Sequence, residues 1–267
     1  MNFTEYNYDI IVLAGQSNAQ GTGRGDVSEE YIPDEDIITL TPSYSIELVK
    51  LEDATMRRIT YADKPLDFAI ADERIQDGKK YGELALTFSS EYKKNGYLKS
   101  GRKILIIRAA IGATGFKFGH WGVGKPLYTK LCEMLDYALS LNESNRLCAF
   151  LWHQGEQEIG RKYPPEIYRS QLKEMLADLK MRYDCPTLPI IAADFAKEWK
   201  LTKEDQGASV IKVIREVIEG EGGIFLPTDD LPTNNRRNGD GDILHFCRES
   251  LHILGKRYFE GYEKLIR

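Results

Sequence analysis

A hydroxyl, an imidazole and a carboxylate stand at opposite ends of this chain in settings that would let them act together. Ser17 lies in Gly15-Gln-Ser-Asn-Ala-Gln-Gly21, a tight turn that follows an apolar run. A serine placed there exposes its hydroxyl beside a helix N-terminus, whose free N–H groups and dipole stabilise developing negative charge. The same position equally suits an N-capping serine with no chemistry. Asp242 precedes His245 by three residues, on a loop that enters the last helical stretch. Serine is a weak nucleophile until a base takes its proton, and that base needs a third group to fix its tautomer. A carboxylate at this offset can reach back to the imidazole; in the plainer reading Asp242 caps the helix and His245 packs. Only four histidines occur, at 120, 153, 245 and 252, so candidates for the base are few.

A third group, His153-Gln-Gly-Glu156, also follows an apolar run. A side-chain amide such as Gln154 at a strand end can donate to an oxyanion. A metal reading would gather His153, Glu156, His120 and Asp242 as nitrogen and oxygen ligands. No His-Glu-x-x-His or Cys/His spacing supports it, and neither a metal nor an organic cofactor is expected. The glycines at 15, 21, 23 and 25 suggest a phosphate loop, but five residues separate Gly15 from Gly21, and Thr22 follows with no lysine. That loop needs four residues and then Lys-Ser/Thr. A dinucleotide fingerprint fails as well, since Gly15-Gln-Ser breaks its Gly-x-Gly start.

The elements that must position these groups alternate along the chain. The runs 9–14, 103–109, 147–152 and 188–193, with a shorter one at 224–226, read as strands buried on both faces. Helical patterns fill 82–97, 126–141, 165–183, 209–219 and 249–266, the third with proline just inside its start. Strands spaced by helices imply right-handed crossovers. The expected fold is therefore α/β, a three-layer α/β/α sandwich with a mostly parallel sheet of about five strands, flavodoxin-like. Ligands in such sheets sit outside the carboxyl ends of the strands, where the three reactive groups fall. Residues 24–80 break the rhythm and read as a loop and hairpin insertion within one domain spanning 1–267.

Composition narrows the partners. With 36 Lys+Arg against 41 Asp+Glu the net charge is −5, unlike the basic footprint of a nucleic-acid binder. No apolar run approaches the roughly 20 residues that span a bilayer, so no membrane association is expected. The first residues show no charged region leading into an apolar one. Cysteines 132, 148, 185 and 247 are scattered without paired spacing, which fits a reducing compartment and a cytoplasmic location. Oligomeric state is left open.

Four ordered blocks resemble the SGNH hydrolases, specifically the sialate O-acetylesterase-like branch grouped with carbohydrate esterase family 6. They are Gly15-Gln-Ser-Asn18, Gly112-Ala-Thr114, Trp152-His-Gln-Gly-Glu156 and Asp242-Ile-Leu-His-Phe246. Ser, Asp, His is also the order of α/β-hydrolases, but here the serine follows the first strand. Two positions depart from the branch: Ala113 replaces a glycine, and Glu158 stands where aspartate is usual. The resemblance implies a serine esterase with Ser17 as nucleophile, His245 as base and Asp242 as orienter. It implies oxyanion donors at the Ser17 and Gly112 N–H groups and the Gln154 side chain, with Gln16 beside them. Glu156 would hold the third block, and Glu158 would support the site from behind. The substrate it implies is a small-molecule or oligosaccharide acetyl ester, cleaved through an acyl-enzyme without a cofactor. Trp121 and Trp152 flank the blocks, as stacking platforms for a sugar or as core. Two alternatives stand beside this reading. One is a non-catalytic carbohydrate-binding relative, disfavoured because the nucleophile, base and acid are all present. The other is a short-chain esterase acting on a non-carbohydrate ester.

Overall fold

The computed structural model describes residues 2–52, 54–203 and 205–267. The first strand, β1 (Asn7–Gly15), runs into the single turn α1 (Ser17–Gln20). Then come β2 (Ile37–Thr41), β3 (Tyr44–Lys50), β4 (Thr55–Tyr61), β5 (Asp67–Ile70), β6 (Arg74–Gln76) and β7 (Lys79–Tyr81). The alternating part follows as α2 (Leu84–Lys94), β8 (Arg102–Ala110), α3 (Pro126–Ser140) and β9 (Arg146–His153). It continues through α4 (Glu156–Gly160), α5 (Pro165–Arg182), β10 (Ile190–Ala193), α6 (Lys197–Lys200), α7 (Asp205–Gly220) and β11 (Ile224–Leu226). The chain ends with α8 (Asn234–Asn238) and α9 (Arg248–Ile266).

Among the described residues the main sheet has the strand order β11-β10-β9-β1-β8-β2-β5. All its pairings are parallel except β2 with β5. Helices α2 and α9 pack together on one face, and α3, α5 and α7 cover the other. Covered on both sides, β1 is buried from Tyr8 to Gly15, which is why its sequence shows no polar alternation. Prolines at the first positions of α3 and α5 give up an N–H that would have no partner there. No described helix is long and apolar enough to cross a membrane.

All five expected strands are present, and the sheet holds two more. Residues 24–80 contain the β3–β4 and β6–β7 hairpins, but they also supply β2 and β5, which extend the main sheet beyond β8. The expectation of loops and a hairpin there is thus too modest. Polar threonines within β2 and the exposed face of β5 hide the strand signature.

The topology has one direct consequence for function. The chain enters the middle of the sheet at β1, runs out to β2 and β5, returns to β8 on that same side of β1, and then crosses to β9 on the other. The carboxyl ends of β1, β8 and β9 therefore meet at a point where connections diverge, opening a crevice there. Gly15 ends β1 at φ +148°, and a Cβ on it would lie 2.1 Å from the His153 carbonyl oxygen. Only glycine allows the two backbones to come this close.

Candidate active site

Three strand ends and one C-terminal loop build the site. After Gly15, the Gln16 N–H donates to the His153 carbonyl at 3.1 Å and turns the chain into α1. This sets Ser17, 7% exposed, at the crevice. The loop before α9 folds over from the other end of the sequence. His245 Nε2 lies 2.9 Å from Ser17 Oγ, and its Nδ1 lies 2.9 Å from Asp242 Oδ2. Asp242 also accepts from Asn234 Nδ2 at 3.0 Å, Arg24 Nη2 at 2.8 Å and the His245 N–H at 3.2 Å. Burial pushes its carboxyl up, but the hydrogen bonds from His245 and Asn234 and the charge of His245 outweigh this and hold it well below the usual range. Asp240 touches neither ring nitrogen; it accepts from the Asp242 N–H and from Arg24.

Asn18 ties the blocks to one another. Its Nδ2 donates to Glu156 Oε1 at 2.9 Å, while its Oδ1 accepts from the Phe246 N–H at 3.1 Å. Glu156 is buried with Oε2 unpartnered, and burial raises its carboxyl to about 7. Gln16 is buried too, and its Oε1 accepts from the Gln157 N–H at 3.2 Å.

The suggested oxyanion donors are placed unequally. Among the described residues the Ser17 N–H has no protein acceptor. The Gly112 N–H faces the same space but donates to Gln20 Oε1 at 2.8 Å. Gln154 lies beneath the site, 1% exposed, with its amide nitrogen held by Glu158 and by the Thr114 carbonyl. It is not among the residues lining the cavity over Ser17. A side chain at a strand end can face either way, and this one faces inward. Glu158 receives it, and also accepts the Phe116 N–H at 2.7 Å, so this glutamate joins the third block to the loop after Gly112.

Other expectations change here. Trp121 and Trp152 are both fully buried and pack edge-to-face with centroids 5.1 Å apart. They are core, and neither can stack on a sugar. His120 Nε2 donates to the Arg57 carbonyl at 2.6 Å, and His153 Nδ1 pairs with the Tyr258 hydroxyl. Burial lowers the His153 imidazole to about 3. Among the described residues no three His, Cys, Asp or Glu side chains converge as a metal-ligand set.

The cavity over Ser17 and His245 has a volume of about 460 Å³. Its wall includes Gln20 from the serine turn, and Ile46, Arg57 and Arg74, which no motif marks. Gln20 Nε2 reaches the Tyr44 hydroxyl at 3.2 Å, and Arg57 Nη1 donates to the Gly112 carbonyl at 2.8 Å. Both contacts depend on the β3–β4 hairpin folding against the sheet end, which no local pattern encodes. Arg24 likewise comes to Asp242 from the far end of the chain, whereas Asn234 stands eight residues before it on α8.

Residues 7–264 match the family model described as carbohydrate esterase, sialic acid-specific acetylesterase. A probable carbohydrate esterase of Arabidopsis thaliana is 24% identical over 263 residues, covering 95% of this chain and 89% of the relative. The X-ray structure of that plant protein has a TM-score of 0.65 at 21% identity, over 97% of this chain and 98% of the other. The crystal structure of NanS gives a TM-score of 0.68 at 17% identity over 98% of both chains. A carbohydrate acetylesterase of Xanthomonas citri gives 0.62 at 15% identity, over 96% of this chain and 56% of that one. At these identities the structures establish a shared fold. The family match agrees with the four-block resemblance in the sequence.

Proposed function

We propose, from the premise that the chain belongs to the family of sialic acid-specific carbohydrate acetylesterases and so is a carboxylic ester hydrolase, that it removes O-acetyl groups from a carbohydrate by a Ser17–His245–Asp242 triad. The observation that carries this reading is the unbroken line of hydrogen bonds from Ser17 Oγ through both ring nitrogens of His245 to Asp242. Ser17 Oγ attacks the acetyl carbonyl while His245 Nε2 takes its proton. Asp242 keeps the Nδ1–H tautomer and stabilises the imidazolium that forms.

The tetrahedral oxyanion accepts from the Ser17 N–H and from the Gly112 N–H, once Gln20 yields the latter. Gln154 takes no part in that hole in this reading; it braces the third block with Glu158. His245 then returns its proton to the alkoxide of the sugar as the C–O bond breaks, leaving acetyl-Ser17. Water, deprotonated by His245, attacks that ester; acetate departs and the proton returns to Ser17. Glu156 and Asn18 hold the strand ends and the His245 loop in register.

Ser17→Ala tests this. Turnover of a small aryl acetate should fall about 10³-fold or more, with the fold intact by circular dichroism. A fluorophosphonate should add once to the wild type and not to the variant, as read by intact mass. Near-wild-type turnover by Ser17→Ala would reject the serine mechanism. Acetate release from a panel of acetylated oligosaccharides identifies the sugar.

A further inference from the structure

We propose that Gln20 gates the second oxyanion donor. Its side chain occupies the Gly112 N–H in the resting protein, is held there by Tyr44, and has to swing aside before that donor can serve a tetrahedral intermediate. This rests on the esterase reading above and adds a residue that sets how fast the site works.

Gln20 ends α1, the single turn that begins with Ser17, and its N–H donates to the Gln16 carbonyl at 2.7 Å, which fixes its backbone. Its side chain lines the cavity over Ser17 and makes two bonds there. Oε1 accepts from the Gly112 N–H at 2.8 Å, and Nε2 donates to the Tyr44 hydroxyl at 3.2 Å. A backbone N–H can only donate, so the amide is set with its oxygen toward Gly112. A Cβ built on Gly112 would lie 3.1 Å from that oxygen and 3.4 Å from Ser17 Cβ. The amide oxygen therefore sits close to the nucleophile, in the space an oxyanion between Ser17 and Gly112 would take. Tyr44 stands at the start of β3, opposite Tyr61 and edge-to-face with it at 6.1 Å, so its anchor is the hairpin rather than α1.

The loop that carries Gly112 does not need Gln20 for its shape. Arg57 holds the Gly112 carbonyl, Thr114 Oγ1 donates to the Ile111 carbonyl at 2.7 Å, and Glu158 accepts the Phe116 N–H. The bond from Gly112 to Gln20 is an added contact on a loop already braced. It covers one donor, while the Ser17 N–H has no protein acceptor among the described residues. A neutral amide oxygen on a backbone N–H is a modest partner, with a net effect of about 2- to 10-fold. An oxyanion accepts the same bond more strongly. Developing charge on the substrate therefore displaces Gln20, at the cost of the bond that breaks. The unbranched side chain can leave by rotation about its own bonds, into the cavity that it lines.

The test is a set of variants at two positions. Gln20→Ala uncovers the Gly112 N–H, and kcat/KM for a small aryl acetate should rise about fivefold. Gln20→Glu puts a carboxylate on the same N–H, a stronger acceptor that also repels the oxyanion, and kcat/KM should fall about tenfold or more. Tyr44→Phe releases Nε2 and should give a smaller rise than Gln20→Ala. A residue that only shapes the site would lower activity in both Gln20 variants. A rate in Gln20→Ala at or below the wild type therefore overturns the proposal, as does an unchanged rate in Gln20→Glu. Amide hydrogen exchange, followed by NMR, reads the same bond without turnover. In Gln20→Ala the Gly112 N–H should exchange about fivefold faster, while amides 113–117 keep their wild-type rates. Unchanged exchange at Gly112 overturns the gate even if esters are cleaved. Faster exchange across 113–117 would make Gln20 a brace of the loop and overturns it too. If Gly112 alone exchanges faster and the wild type cleaves no ester, the esterase reading falls and the capping of this amide by Gln20 is supported.

Discussion

Two aspartates lie close before His245, and their contacts separate their roles. Asp242 meets the ring nitrogen, whereas Asp240 caps the backbone of Asp242 and pairs with Arg24, an exposed arrangement. Replacing Asp242 by asparagine keeps the shape but leaves the imidazole in the wrong tautomer, a change that costs on the order of 10⁴ in kcat in a well-studied triad. Asp242→Asn should therefore cripple aryl acetate hydrolysis at neutral pH, and Asp240→Asn should lower it by less than about tenfold, since it removes only an exposed ion pair. A steep loss for Asp240→Asn with a small one for Asp242→Asn would transfer the orienting role to Asp240. The serine and histidine roles would survive that result.

At the level of elements, the loop after β8 shows how the site is held. Ala113 adopts φ +58°, a left-handed conformation that costs a residue with a Cβ about 1–2 kcal/mol. Arg57 on the Gly112 carbonyl and Glu158 on the Phe116 N–H hold the loop on both sides of it. Ala113→Gly removes the conflict but frees the unfolded chain, which takes back about 0.4–1 kcal/mol. Urea unfolding should show no loss of stability and a gain of up to about 1.5 kcal/mol. A clear loss would mean that the methyl group packs. The sequence discloses this loop as a motif with one departure, but not its brace from β4. Continuous apolar runs disclose five strands because a parallel strand covered on both faces needs no alternation. β2 and β5 carry threonine or an exposed face, and their place in the sheet depends on pairing with β8 and with each other. The triad is legible for a related reason: Asp242 and His245 interact within one turn of chain, and Ser17 lies in a tight motif. The inward turn of Gln154 and the arrival of Arg57 beside Gly112 are set by packing between remote segments.

On the scale of the whole molecule, buried carboxylates paired with arginines tie distant segments together. Asp9 accepts from Arg102 and Arg146, each at 2.7 Å, and from the Tyr92 hydroxyl, joining β1, β8, β9 and α2 at the amino ends of the central strands, away from the site. Glu73 does the same on the site's flank, between β5 and β6. Its carboxylate takes Arg248 Nε at 2.9 Å and His252 Nε2 at 3.0 Å, which fixes the start of α9 against the 24–80 segment. Burial opposes ionisation of Glu73, but the hydrogen bonds from His252 and Arg248 and their charges prevail and lower it from 4.5 to about 2. Because the folded value lies below the unfolded one, its contribution is complete above pH 4.5 and disappears as pH falls toward 2. For a fully buried carboxylate this amounts to something on the order of 2–3 kcal/mol. Glu73→Gln should therefore lower urea-unfolding stability by about that amount at pH 7. The gap between variant and wild type should narrow by roughly half near pH 3. Arg248 retains Glu30 as a partner in the variant, so the fold should persist at neutral pH. An equal gap at pH 7 and pH 3 would mean that Glu73 acts by packing, and that its ionised pairing with Arg248 and His252 contributes nothing to holding α9 in place.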